Sequence, residues 1–221
     1  MAKVFIGVGH GGPDPGAVAN GLTEKEINLV MALRCKAELE RHGVEVGMSR
    51  LKDEADTLAD EVKECNAFAP DCAIEVHNNA GGGDGFEAYY QTSVYRAQSR
   101  LLASSIEAEV KKIGQNSRGV KTRLTSTGTD YFGWLRSCTC PAVLLEGAFL
   151  DNKLDATIID TVEEQEKFGV AYAKGVLAFL GIEWISTEAN YEAQYNLLNE
   201  KWLKLQCCLW AIKETIEEVL G

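Results

Sequence analysis

Residues 3–24 read KVFIGVGHGGPDPGAVANGLTE and contain the first strand, loop and helix start of an α/β fold. Residues 4–8 are a short apolar run, which is typical of a buried strand. Residues 9–21 are rich in Gly, Pro, Asp and Asn, and this composition predicts a loop. Residues 24–42 then place apolar side chains at helical spacing, so the unit predicted here is strand, loop and helix.

The same alternation of strands and helices continues as far as residue 180. We predict strands at 44–49, 72–77, 85–91 and 142–149, and helices at 56–68, 95–113 and 161–180. Strands that alternate with helices are typical of an α/β fold with helices on both faces of one sheet.

Composition and charge narrow the possible functions. Of the 221 residues, 46% are hydrophobic and 25% charged, which suits one globular domain and an additional element. The net charge of −11 argues against nucleic-acid binding, because phosphate neutralisation needs a basic face. Nothing approaches the roughly 18 consecutive apolar residues of a membrane span, and no targeting segment is visible. We therefore expect a protein that is cytoplasmic at synthesis, with no membrane or nucleic-acid partner.

The chain has seven cysteines, an odd number, without the repeated CxxC spacing of a thiolate zinc site. Cys138 and Cys140 have the spacing of a possible redox pair. Small buried thiols are the interpretation that we favour, and we expect the cysteines to be reduced.

Four polar residues lie where the sheet should present its ligand site. His10 follows the first strand, His77 ends the strand at 72–77, and Glu146 lies in the last strand. Ligand sites of open α/β sheets form beyond the carboxyl ends of the strands, and Glu24 begins the helix after the glycine-rich loop. Two imidazoles and one carboxylate are a common ligand set for catalytic zinc, and a further carboxylate can serve as general base.

Each of these residues also has a structural interpretation. A histidine at a strand end is more often structural than a ligand, and GHGG alone could be a phosphate-binding turn, although no GxGxxG or GK[ST] follows. Glu24 could simply complement the helix dipole. Glu146 is harder to dismiss, because an unpaired carboxylate in an apolar strand is costly to bury.

Four segments resemble one enzyme family in the same order. They are GHGGPDPGAVANGLTEKEINL at 9–29, EVHNNA at 75–80, GFEAYY at 85–90 and LLEGAFLDN at 144–152. Together they resemble the zinc-dependent N-acetylmuramoyl-L-alanine amidases of the AmiC/CwlV type, or amidase 3, over residues 3–181. The resemblance implies a twisted, mostly parallel sheet of about six strands that is flanked by helices.

The resemblance also implies the roles of the four polar residues. His10, Glu24 and His77 would bind one Zn²⁺ per chain, and Glu146 would be the catalytic carboxylate. Members of the family cleave the amide between the lactyl group of N-acetylmuramic acid and the L-alanine of peptidoglycan.

Three further residues match positions on the substrate side of the family's site. Asn79 belongs to the HxNA motif, and Tyr89 and Arg118 lie where the family lines its groove; a basic residue there suits a stem-peptide carboxylate. Glu75 is a departure, because many relatives have Ser two residues before His77. Alternation along a strand places Glu75 and His77 on one face, so Glu75 either orients the ligand or is a solvated or paired acid.

The C-terminal segment has a different pattern. After a linker at 182–189, apolar residues recur at alternating intervals of four and three: Tyr191, Tyr195, Leu198, Trp202, Leu205, Leu209, Ile212, Ile216 and Val219. This heptad seam predicts an amphipathic helix over 190–221. We expect it to form a homo-oligomer; the alternatives are packing on the catalytic domain at 1–181 and a role as a wall anchor.

The functional prediction is a cell-wall lytic amidase that acts on peptidoglycan after release from the cytoplasm, as an endolysin does. One alternative is a zinc peptidase that acts elsewhere on the stem peptide. A second is a non-catalytic module for wall binding or assembly.

Overall fold

The computed structural model describes residues 1–186, 195–196, 198–202 and 204–205. The chain divides into two units, Met1–Glu183 and Trp184–Gly221. No described helix combines the length and the hydropathy that crossing a membrane requires.

Strands and helices of the first unit follow one another closely. The strands are β1 (Lys3–Val8), β2 (Val18–Ala19), β3 (Leu22–Thr23), β4 (Glu45–Met48), β5 (Cys72–Asn79), β6 (Phe86–Tyr90), β7 (Ser117–Lys121) and β8 (Ala142–Phe149). The helices are α1 (Glu24–Arg41), α2 (Leu58–Phe68), α3 (Arg96–Lys112), α4 (Gly133–Ser137), α5 (Lys153–Thr157) and α6 (Val162–Leu180).

Six of the strands form one sheet in the order β4-β1-β5-β8-β6-β7. Neighbouring strands are parallel except at β6 and β8, which run antiparallel. The prediction of a mostly parallel sheet of about six strands is confirmed. The reversal at β6 has a simple cause, since only six residues separate it from β5 and a parallel crossover needs about a dozen.

Helices pack on both faces of this sheet. On one face α6 lies between α1 and α3, and on the other α2 and α4 cover β1 and β8. The core beneath α2 and α4 contains Phe5 and Trp134 together with the buried cysteines Cys65, Cys138 and Cys140. The cysteines of the CxC pair are therefore small buried side chains in the core, as we predicted.

Every strand and helix that we predicted in this unit is present, with ends within two residues of those expected. The interpretation of 9–21 as a loop throughout was wrong, because β2 begins inside it and pairs with β3 as a hairpin. Asn20 and Gly21 form its two-residue turn, with φ of 50° and 78°. Asn-Gly is the preferred pair for such a turn, since both positions need positive φ.

In the second unit, the three described stretches between residues 195 and 205 are helical. Four residues of the predicted seam fall in them and are 55–68% exposed: Tyr195, Leu198, Trp202 and Leu205. The remaining part of the helix predicted over 190–221 lies outside the described residues.

Candidate metal and catalytic site

Three of the predicted site residues meet at the carboxyl end of the sheet. Ligand atoms of His10, Glu24 and His77 all lie within 4.8 Å of one another. Glu24 Oε2 is 3.1 Å from His10 Nε2, and Glu24 Oε1 is 3.0 Å from His77 Nδ1. β1 and β5 are neighbours, which brings the two imidazoles side by side, and the loop after β1 returns the start of α1 to them.

The backbone before the first imidazole is tightly held. His10 itself has a φ of 64°, a conformation that costs a non-glycine residue about 1–2 kcal/mol and recurs at functional sites. The buried Arg50 supports this turn, since its Nε donates to the carbonyl oxygen of Val8 at 3.1 Å and its terminal nitrogen to Gly9 at 3.3 Å. Sequence reasoning missed Arg50.

Each imidazole has a second carboxylate beside its other nitrogen. Asp14 Oδ2 lies 2.8 Å from His10 Nδ1, and Glu75 Oε1 lies 3.5 Å from His77 Nε2. Metal-binding histidines usually have such an outer partner, which sets the orientation and tautomer of the ring. Glu75 is only 4% exposed, and this burial argues against its interpretation as a solvated acid.

The charges of this cluster depend on one another. Burial would raise the pKa of Glu24, but hydrogen bonds from His10 and His77 hold it far below its ordinary value. Hydrogen bonding to Glu24 raises the pKa of His10. Burial would lower the pKa of His77, yet Glu24 and Glu75 raise it well above 6.5. A buried carboxylate thus attracts positive charge to both imidazoles, and a divalent cation supplies that charge in place of two protons.

This donor set fits zinc. One carboxylate and two imidazoles are the protein ligands of many catalytic zinc sites, which leave further positions open. The outer carboxylates Asp14 and Glu75 leave one nitrogen of each ring to face Glu24, as a shared metal requires.

Glu146 lies beside this cluster. It stands in register with His77 on the neighbouring strand, and both line one cavity of about 280 Å³. Its Oε2 is buried and accepts no hydrogen bond from the described residues. Burial raises the pKa of Glu146 to about 7, against the lowering effect of His77. A carboxyl group with this pKa can accept and return a proton near neutral pH.

Residues 4–178 match the family model described as amidase 3, N-acetylmuramoyl-L-alanine amidase. The chain belongs to this family. The amidase is therefore a hydrolase of the bacterial cell wall, as the ordered motifs predicted. It is 33% identical over 204 residues to a sporulation-specific N-acetylmuramoyl-L-alanine amidase of Bacillus subtilis (strain 168), covering 91% of this chain and 77% of that protein.

Two further comparisons indicate the same family. The amidase is 35% identical over 191 residues to an endolysin of Bacillus phage SPP1, covering 83% of this chain and 68% of that protein. The solved catalytic domain of CwlV, an N-acetylmuramoyl-L-alanine amidase from Bacillus (Paenibacillus) polymyxa var. colistinus, superposes with a TM-score of 0.73 at 28% identity. That comparison covers 83% of this chain and 100% of the solved domain.

Two asparagines of the amidase orient Glu24, and sequence reasoning missed both. Asn28, one turn further along α1, lies 3.3 Å from Glu24 Oε1 and also donates to the carbonyl oxygen of Gly9. The backbone nitrogen of Asn78 donates to Glu24 Oε1 at 3.1 Å, and its side chain donates to Asn28. The sequence signal for Asn28 is its i, i+4 spacing from Glu24, which places two polar residues on an otherwise apolar face of α1.

The cavity of the amidase has an acidic side wall that the sequence did not indicate. Asp56, Glu61 and Glu75 line it together with Trp134, and its lining contains no lysine or arginine among the described residues. Burial raises the pKa of Glu61 to about 7, and the charge of Glu75 adds to this effect. The Nε1 atom of Trp134 has no hydrogen-bond partner in the described part of the chain.

All three residues assigned to the substrate side contact one further acid, Glu87. Asn79 Nδ2 lies 3.5 Å and Tyr89 Oη 2.7 Å from Glu87 Oε2, while Arg118 Nε donates to Glu87 Oε1. Glu87 is paired with Glu146 in the antiparallel register of β6 and β8, so both acids are on one sheet face. The sequence offered a signal for Glu87, an acid inside the apolar strand GFEAYY.

Proposed function

We propose that this amidase is a zinc enzyme in which His10, Glu24 and His77 hold one Zn²⁺ per chain and Glu146 transfers the proton. The observation that supports this most strongly is the buried Glu24 carboxylate between two imidazoles, His10 and His77, which line one cavity together with Glu146. Zinc bound there would supply Lewis acidity, which makes water more acidic and stabilises negative charge on a carbonyl oxygen.

The residues of the chain perform the remaining steps. Glu146 accepts a proton from the attacking water on its carboxylate, and it then donates this proton to the departing nitrogen. Asp14 and Glu75 hold the two rings in orientation from outside.

The substrate that we propose is the amide between the lactyl group of N-acetylmuramic acid and L-alanine in peptidoglycan. Asn79, Tyr89 and Arg118 would contact the stem peptide beside Glu146; their common contact with Glu87 supports their position on one side of the site. Digestion of purified walls should release new N-terminal L-alanine without new reducing sugar. Other new amino termini would identify a zinc peptidase that acts elsewhere on the stem.

Two replacements test the assigned roles. Glu146→Ala should abolish wall clearing, and a variant that clears walls like the parent would show that Glu146 does not transfer the proton. A parent protein that clears no walls would instead support a non-catalytic wall-binding or assembly module. The parent should contain one zinc per chain, and His77→Ala should lose it. Metal analysis of both proteins, purified side by side, measures this directly.

We propose that the amidase acts as an endolysin, which is made in the cytoplasm and reaches the wall after release. The similarity to the SPP1 endolysin supports this role. Expression in a walled bacterium should cause lysis only when a pore-forming membrane protein is expressed with it. Lysis without the pore, or none with it, would contradict this proposal.

We further propose that residues 1–181 are the catalytic domain, 182–189 a linker and 190–221 a homo-oligomerisation helix. The exposed helical seam residues Tyr195, Leu198, Trp202 and Leu205 support the last assignment, because such a face is stabilised by burial in a partner. Light scattering should find an oligomer for the full chain and a monomer after truncation at Gly181. A monomeric full chain at micromolar concentration would refute self-association.

A further inference from the structure

Glu87 is a buried carboxylate at the centre of a network on the substrate side of the site. It is 4% exposed and lies on the middle of three strands, between Glu146 on β8 and Arg118 on β7. Burial alone would raise its pKa, but hydrogen bonds from Lys121, Tyr89 and Arg118 lower it. Glu87 therefore remains charged and can hold cations.

Four side chains from three strands converge on this carboxylate. Oε1 accepts from Arg118 Nε and from Lys121 Nζ, the latter at 2.6 Å. Oε2 accepts from Tyr89 Oη at 2.7 Å, and Asn79 Nδ2 lies 3.5 Å away. One acid thus sets the positions of donors that come from the end of β5, from β6 and from β7.

The network holds more positive than negative charge. Arg118 and Lys121 carry two positive charges against one on Glu87, and their side chains are 44% and 32% exposed. Arg118 contacts Glu87 through Nε, and Glu87 is its one carboxylate partner among the described residues. The ring of Phe149 lies 5.4 Å from its Cζ and packs against the guanidinium. A guanidinium held in this way offers its outer edge to a planar anion.

We propose that Glu87 is a positioning residue that holds Arg118 and Lys121 as a binding site for a carboxylate of the stem peptide. The inference rests on the proposed function and deepens it. β7 is two strands from β8, a separation of about 10 Å. This distance corresponds to about two or three residues of extended peptide, so the carboxylate belongs to the second or third residue beyond the cleaved amide.

The experiment compares synthetic N-acetylmuramoyl peptides in which the second or third residue has either a free α-carboxylate or a carboxamide. For the zinc-loaded parent, the carboxylate form should have a KM about tenfold or more below that of the amide form. Glu87→Gln keeps the size of the side chain but loses its charge, so this preference should fall to less than about threefold, with a smaller change in kcat. Glu109→Gln, a paired acid on α3, is the matched control and should keep the full preference.

The ratio of the two KM values distinguishes a positioning role of Glu87 from a merely structural one. If Glu87→Gln raises KM equally for both peptides, or if the parent does not distinguish them, the proposal is overturned. Arg118→Gln changes a partly exposed side chain and is the test variant if Glu87→Gln does not fold. It should also lose the preference for the carboxylate peptide, and a retained preference overturns the proposal. Failure of the proposed function is distinct, because the products would then show cleavage at another bond.

Discussion

Replacing Gly9 by alanine should displace His77 without changing any ligand. A methyl group built on Gly9 would lie 2.1 Å from His77 Cε1, 2.4 Å from Nε2 and 2.5 Å from Nδ1. Carbon atoms in contact are normally about 3.5 Å apart, so the ring must move by about 1.4 Å. The backbone conformation of Gly9 is not left-handed, and the effect of the substitution is therefore this single clash.

The size of the movement of the His77 ring determines the expected loss of zinc affinity. Metal–ligand distances tolerate deviations of only about 0.2 Å, and disturbing even an outer partner of a ligand costs about 10- to 100-fold in metal affinity. We therefore expect Gly9→Ala to bind zinc at least about 100-fold more weakly than the parent. Wall hydrolysis at limiting zinc should decrease in proportion.

Gly7→Ala, on β1 just before Gly9, is the matched control. Its methyl group would lie 3.2–3.3 Å from Trp134 and Glu75, so neighbours need to shift by only a few tenths of an ångström. Competition with a zinc-binding dye measures the affinities, and thermal melting in chelator shows that both variants fold. If Gly9→Ala binds zinc and clears walls as the parent does, then His77 is not a zinc ligand in the position described.

Three other measurements test the electrostatics and the support of the site. Because burial raises the pKa of Glu61 from 4.5 to about 7, the folded state keeps a proton that the unfolded state releases, so this group lowers stability as pH rises through that window. Glu61→Gln should therefore stabilise the chelator-treated protein by about 2–3 kcal/mol at pH 8 and hardly at pH 4.5 in urea unfolding; equal effects at both pH values would contradict this. Zinc at about 100 times its Kd should add about 2.7 kcal/mol to the free energy of unfolding of the parent and raise its Tm by about 5–10 °C. The Tm of His77→Ala should not shift. Arg50→Met removes a donor from the carbonyl oxygen of Val8, while the carbonyl oxygen of Gly9 keeps its bond from Asn28, so the change should cost about 1–3 kcal/mol in urea unfolding. A loss below about 1 kcal/mol would show that the Val8 carbonyl finds another partner.

The local sequence pattern was sufficient to predict the strands and helices that carry the metal site. Apolar runs, helical spacing and turn residues depend on near neighbours, and they placed His10 and His77 at strand ends and Glu24 at a helix start. The ordered motifs then indicated the family and the set of candidate ligands. The short elements α4 and α5 have five residues each, too few for a periodic signal. β7 is a polar edge strand, SRGVK, whose basic residues conceal its period.

Only the tertiary structure determined how distant residues share the site. Glu87 faces Glu146 because β6 enters the sheet antiparallel to β8, and this strand order brings together residues that are far apart in sequence. Glu61 joins the acidic wall and Arg50 supports the turn before His10 for the same reason. A sequence pattern reports the preferences of neighbouring residues, whereas the charge and support of a site depend on contacts across 40 or more residues, which exist only once the strands have paired.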